Sequence, residues 1–194
     1  MGGFWFYVQM GLEHVLDLNA YDHILFLAAL AVPFTFANWK KVLVLATIFT
    51  IAHCISLALS VYGIVEVDVG VIEFLIPVTI FFTAIHNLFH FNKPAETRNM
   101  VLYSVATAFF GLIHGFGFSN YFKMLMAGEE EKISPLLGFA AGIELSQILI
   151  LVAVLCANYI FRSLFVEKQS LFTQLMSIII LCITIPMLFN TFPW

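Results

Sequence analysis

The 194-residue chain is 62% hydrophobic and 16% aromatic, with only 10% charged residues and a mean hydropathy of +1.00. A soluble domain carries about 25% charged residues, so the composition excludes a water-covered globule, and with it disorder, coiled coil, collagen and disulfide-rich secreted scaffolds. Eight Lys and Arg against twelve Asp and Glu give a net charge of −4 with no basic run, which excludes a nucleic-acid footprint.

What remains is an all-α, polytopic membrane helix bundle forming one integral domain over residues 1–194. The start, Met1 to Phe6, lacks the basic region of a signal peptide. Phe6 stands where a myristoylation motif takes Ser or Thr, so the N-terminus is expected to belong to the mature fold. Residues 3–18 are too short to span and are interrupted by Glu13, His14 and Asp17. Phe4, Val8, Leu12 and Leu16 recur near helical spacing there, which predicts a short interfacial or half-inserted helix packed on the bundle.

Six apolar stretches of about 20 residues follow: 20–38, 41–62, 71–91, 99–120, 135–161 and 171–191. The breaks carry turn and charge signals, among them Asn38 to Lys41, Gly63 to Gly70, Asn92 to Glu96, Gly128 to Pro135 and Arg162 to Gln169. Cys54, Cys156 and Cys182 lie inside apolar runs without C-x-x-C spacing and read as small buried hydrophobes. Lys40, Lys41, Lys93, Arg98, Arg162 and Lys168 fall in the odd loops, against only Lys123 and Lys132 on the other side. This places the odd loops in the cytoplasm and both termini on the outer side.

A charged side chain at the bilayer centre costs about 2.5–3.5 kcal/mol on insertion scales, so every such residue needs a reason. His53 stands twelve residues beyond Lys41, about 18 Å up its helix at 1.5 Å per residue. His114 is about as far along the fourth span, Glu144 lies nine residues into the fifth, Asp22 and His23 sit at the outer start of the first, and His14 lies just before it on the outer side. Imidazoles and carboxylates converging on one low-dielectric layer are the ligand set of a divalent metal. His14, Asp22, His23, His53, His114 and Glu144 are the candidate ligands. Thr50, Ser56, Glu73, Ser146 and Gln147 are the residues placed to orient them.

Plainer readings stand beside this one. His53 alone fits a hydrogen-bonding core residue. Asp22-His23 fits a helix cap, and Glu73 fits a partner for a helix N-terminus. His86 and His90, one turn apart, sit at the opposite end and fit an interfacial role. Gly111, Gly115 and Gly117 around His114, and Gly138 and Gly142 before Glu144, suit close helix approach, with Gly117 also suited to loosening a helix end.

Four ordered runs resemble one family. Gly11-Leu12-Glu13-His14-Val15-Leu16, followed by Tyr21-Asp22-His23-Ile24-Leu25-Phe26-Leu27, resembles the opening signature of the HupE/UreJ family. Phe49 to Ser56, Gly111 to Phe118 and Gly142 to Gln147 resemble its later motifs. Asp17-Leu18-Asn19-Ala20 departs from the pattern, where a shorter, Gly-containing link is usual. The resemblance implies a nickel permease or nickel-binding protein of the bacterial inner membrane, associated with hydrogenase and urease accessory loci, so the outer side that holds both termini would be the periplasm. His14 with Asp22-His23 would be the place where metal enters. The same ligands suit zinc, cobalt or iron. Expected partners are the lipid bilayer and the metal ion, with a homo-oligomer or a metalloenzyme-maturation protein as further partners, and no nucleic acid.

Two functions are open at this point. A permease would take a divalent cation at the outer layer and pass it along Thr79 and Thr83 to His86, Asn87 and His90. A membrane-embedded zinc hydrolase acting on a lipid or membrane-anchored substrate would use His53, His114 and one of His14 or His23 as ligands and Glu144 or Asp22 as base.

Overall fold

The computed structural model describes residues 3–165 and 169–193. Met1, Gly2 and Lys168, the last of which enters the orientation argument, lie outside the described residues. Among the described residues the fold is entirely helical: α1 (Phe4–Leu16), α2 (Asp22–Ala31), α3 (Trp39–Val61), α4 (Val69–Phe89), α5 (Met100–Met126), α6 (Ile133–Leu164) and α7 (Gln169–Asn190), with single 3-10 turns at Phe36–Asn38 and Ala95–Thr97.

Five of these helices, α3 to α7, are long and apolar enough to cross a membrane. The starts of α4, α5 and α6 are set by local side-chain acceptors for free N–H groups. Asp68 accepts from Gly70 (2.9 Å) and Val71, and Asn99 accepts from Val101 (3.1 Å) and Leu102. Glu131 accepts from Ile133 (2.7 Å) and Ser134. The turn after α3 uses Gly63 at φ 68°, a left-handed conformation that favours glycine.

The expected span at 20–38 is different. It is helical only over the ten residues of α2, too short to cross on its own. Its beginning is set by Asp17, whose carboxylate accepts from the Asn19 backbone (2.8 Å) and side-chain amide (3.1 Å) and turns the chain out of α1. Its end is set by Pro33, which has no N–H to continue the ladder. The freed carbonyls are buried, where each would cost several kcal/mol if left bare. Instead, Asn87 donates to Ala29 O (2.6 Å), Asn158 to Phe34 O (2.7 Å) and Thr173 to Val32 O (3.3 Å). Side chains of α4, α6 and α7 thus complete the backbone of α2, and eight of its ten residues are buried at the middle of the bundle.

Two close helix pairs fix the rest. Against α6, Gly138 lies beneath Phe4 and Tyr7, while Gly142 lies beneath Val8, Gly11 and Leu12. Partners advance together along both chains, so α1 runs parallel to α6. Between α3 and α5, a Cβ on Gly111 would fall 2.6 Å from Phe49 O, and one on Gly115 would collide with His53 O and Ser56 Oγ. Both sets of small residues therefore serve close approach as expected. Gly117 does not loosen a helix end: α5 continues to Met126, and Gly117 faces the Ile76 side chain of α4.

The expected short N-terminal helix is α1. It buries Tyr7, Val8, Gly11 and Val15 and leaves Phe4, Trp5 and Phe6 exposed. The basic residues Lys40, Lys41, Lys93, Arg98 and Arg162 gather at one end of the bundle, where Asn38 donates to Glu96 and Lys41 reaches Ala95 O. The other end carries Glu129, which accepts from Tyr7, and Lys132 over the Tyr62 ring.

Candidate metal centre

Five side chains from four helices meet where α1 gives way to α2. His14 comes from the last turn of α1, and Asp22 and His23 open α2. His53 and His114 stand at mid-height on α3 and α5, drawn together by the glycine contact at Gly115. Ring centroids are 4.7 Å apart for His14 and His23, 5.6 Å for His23 and His53, 5.8 Å for His14 and His53, and 5.0 Å for His23 and His114.

The coordinating atoms fall into two groups. His14, His23 and His53 present atoms that lie within 4.8 Å of one another, and so do Asp22, His23 and His114. Ligands about 2.1 Å from a cation sit about 3–4 Å from each other, so either group could hold a metal ion once its atoms draw slightly closer.

Burial makes this arrangement costly without a partner. His53 is 0% exposed, His114 1% and His23 2%. Five ring nitrogens are buried with no hydrogen-bond partner in the protein: His14 Nε2, His23 Nε2, both nitrogens of His53, and His114 Nδ1. An unsatisfied buried polar atom costs about 1–3 kcal/mol. Five of them approach the whole stability of a typical domain, about 5–15 kcal/mol. Each neutral ring offers one lone pair, so a cation between His14, His23 and His53 would satisfy one nitrogen on each of the three.

The neighbours orient the rings for this. Thr79 donates its hydroxyl proton to Ile76 O (2.7 Å), so its oxygen can only accept from His114 Nε2 at 3.3 Å. The hydrogen-bond network thereby assigns the proton of His114 to Nε2 and leaves Nδ1 as a free lone pair. Asp22 Oδ1 accepts from the His23 backbone (2.9 Å) and faces His23 Nδ1 (3.2 Å), leaving His23 Nε2 available. A carboxylate or hydroxyl behind a ligating imidazole is the usual supporting arrangement at metal sites. Phe118 lies 4.0 Å from the His14 ring and stacks on Phe139 (5.3 Å), while Phe49 lies 5.2 Å from His114. These rings wall the site with apolar surface.

The remaining sequence candidates take other positions. Glu144 joins neither group; its carboxylate accepts from Thr47 and from Thr50 (2.7 Å) on α3. Thr50 has one hydroxyl proton, so giving it to Glu144 requires Gln147, 3.1 Å away, to turn its amide NH2 toward Thr50. That orientation also supplies a partner for Gln147 Nε2. Ser56 donates to His53 O (2.8 Å), and Ser146 to Gly142 O and Ile143 O, so both bond to backbone rather than to imidazole. Glu73 is exposed on α4.

Sequence reasoning did not assign Thr47 a role or place Thr79 behind His114. Thr79 and His114 are 35 positions apart on different helices, so no local pattern links them. Phe118 was accessible, because it lies one turn beyond His114 on the same face.

Two cavities flank the cluster. One, of about 660 Å³, is lined by Glu13, His14, Asp17, Phe118 and Tyr121. The other, of about 180 Å³ between α2, α4 and α5, is lined by Phe26, Thr83, His86, Tyr103 and Phe110. Below it His86 and His90 lie 4.3 Å apart, with His90 Nδ1 on His86 O (2.9 Å) and Arg98 on His90 O (3.0 Å) and Tyr103. This pair belongs to the capping of the α4 C-terminus, where a guanidinium suits the exposed carbonyls.

A family model described as HupE/UreJ protein matches residues 1–191, and the chain belongs to that family. No curated protein and no solved structure matches it.

Proposed function

From this family membership and the convergent imidazoles, we propose that the protein is a multi-pass membrane permease for a divalent cation of the nickel type. The observation that carries the reading is the set of four imidazoles with buried, unpartnered ring nitrogens, whose ligand atoms fall, together with Asp22, into two groups that each lie within 4.8 Å. His14, Asp22, His23, His53 and His114 hold the cation as cargo, and Thr79 fixes the ring of His114. Glu144, Thr47, Thr50 and Gln147 tie α3 to α6 beside the site.

In this reading α1 and α2 together make a sixth crossing. Both run in the direction of α6, and 13 plus 10 helical residues give about 35 Å of rise against a hydrocarbon core of about 30 Å. Transporters place cation sites at such helix breaks, where backbone carbonyls and helix ends face the ion. The basic end of the bundle lies in the cytoplasm and the acidic end, with both termini, in the periplasm. Glu13 and Asp17 then border the cavity on the side from which the metal arrives.

A hydrolase needs a carboxylate base free beside its metal. Glu144 is held by two threonines and joins neither ligand group, and Asp22 is itself part of one, which favours transport over catalysis.

The test is nickel uptake into proteoliposomes containing the purified protein. Uptake above that of protein-free vesicles, abolished by His23→Ala, supports the proposal. A protein that neither binds nor moves any divalent cation overturns it.

A further inference from the structure

The two ligand groups share a single residue, His23. They also adjoin different cavities. His14, in the first group, lines the larger cavity beside Glu13 and Asp17. His114, in the second, lies 5.4 Å from the ring of Phe26, and Phe26 lines the smaller cavity that continues to His86. We propose that these are two alternative positions for one cation, occupied in turn along the path, with His23 retained as a ligand in both. This rests on the permease reading and deepens it.

The chemistry of the two positions differs in a way that gives the transfer a direction. The first is made of three neutral imidazoles, so a divalent ion there keeps its full charge in a low-dielectric layer. The second exchanges two of the imidazoles for His114 and the Asp22 carboxylate, which neutralises part of that charge and lowers the cost of burial. Asp22 changes role between them. With the ion in the first position it accepts from His23 Nδ1 and supports that ring from behind. With the ion in the second position it becomes a ligand itself. His114 is ready to receive, because Thr79 already holds the proton on Nε2 and leaves Nδ1 bare.

Phe26 closes the far side. It is 0% exposed, stacks on Phe49 at 4.9 Å and meets Phe110 edge-on at 5.8 Å. An ion in the second position therefore stops against an aromatic barrier, and release into the smaller cavity requires Phe26 to turn aside. Capture and release are then separate events, as alternating access demands.

The experiment uses the full-length protein in detergent, loaded separately with nickel and cobalt(II). Bound metal is counted by elemental analysis after equilibrium dialysis, and the ligand set is read from the cobalt absorption spectrum. His53→Ala damages only the first position, His114→Ala only the second, and His23→Ala both. His53→Gln and His114→Gln, checked for monodispersity, guard against misfolding of the smaller variants. The expected result is one ion in the wild-type protein, one ion with distinguishable cobalt spectra in the His53 and His114 variants, and none in His23→Ala. Uptake in proteoliposomes should fall at least tenfold in both single-position variants although each still binds. If the His53 and His114 variants lose metal as completely as His23→Ala, there is one composite site and the proposal is overturned. Two ions per wild-type chain would overturn the alternation. Wild-type protein that binds metal in this pattern but moves none would remove the permease reading and the ordering of positions along a path, while leaving the two positions themselves established.

Discussion

Gly115→Ala tests how the fold builds the metal centre, because it moves two ligands without touching either. A Cβ at residue 115 would overlap His53 O and Ser56 Oγ and stand 3.0 Å from the His53 carbonyl carbon. The first of these is backbone on a long helix, so it cannot rotate away. Restoring ordinary contact requires α3 and α5 to separate by about 1 Å, and overpacking of this kind costs about 1–3 kcal/mol. At about 2–4 °C per kcal/mol for a chain of this size, the melting midpoint should fall by roughly 2–12 °C. The same displacement carries His53 away from His23 and His114, and disturbed support at a metal site costs about 10–100-fold in affinity. Gly111→Ala, whose Cβ would meet Phe49 O at 2.6 Å, should show a smaller effect of the same kind. Gly128→Ala meets nothing within 4 Å and should behave as wild type. Nickel titration calorimetry and thermal melts in detergent read both quantities. Wild-type affinity in Gly115→Ala would show that the α3–α5 approach does not position the ligands.

Other outcomes follow from individual contacts. Nickel at a hundred times its Kd should stabilise the protein by about 2.7 kcal/mol, raising the melting midpoint by about 5–11 °C until a chelator is added; an unchanged midpoint would mean that the folded state holds no metal. Thr79→Val removes the acceptor behind His114 and should weaken nickel binding about 10–100-fold, with Thr79→Ser restoring it, as read by competition with a metal indicator. Glu144→Gln should keep nickel affinity within about threefold, well short of the loss expected when a supporting group is removed, since Glu144 lies in neither ligand group; a larger loss would bring it into the coordination sphere. Asn158→Leu strips the partner from Phe34 O and should lower stability by about 1–3 kcal/mol, measured by thermal melt.

The long helices were legible because apolar length alone defines them. The expected spans beginning at 41, 71, 99, 135 and 171 correspond to α3 to α7, although α5 runs to Met126, well past the expected end at 120. The stretch 20–38 was not read correctly, because hydropathy is blind to how backbone is satisfied. Pro33 marks the break, but the chain around it stays apolar, and the side chains that complete α2 come from Asn87, Asn158 and Thr173 far along the sequence. In the candidate site, counting residues along each span gives height but not facing. That was enough to put His14, His23, His53 and His114 on one level. It could not show that Glu144, at a similar level, turns to Thr47 and Thr50. Nor could it show that Asp22 belongs with His114 while His14 belongs with His53.

Nickel X-ray absorption on the loaded, detergent-purified protein addresses the central claim most directly. The account predicts a shell of nitrogen and oxygen containing two or three imidazole rings, drawn from the groups that share His23, and its loss in His23→Ala. A sample that retains no nickel, or a shell without imidazole, or one unchanged in His23→Ala, would contradict it.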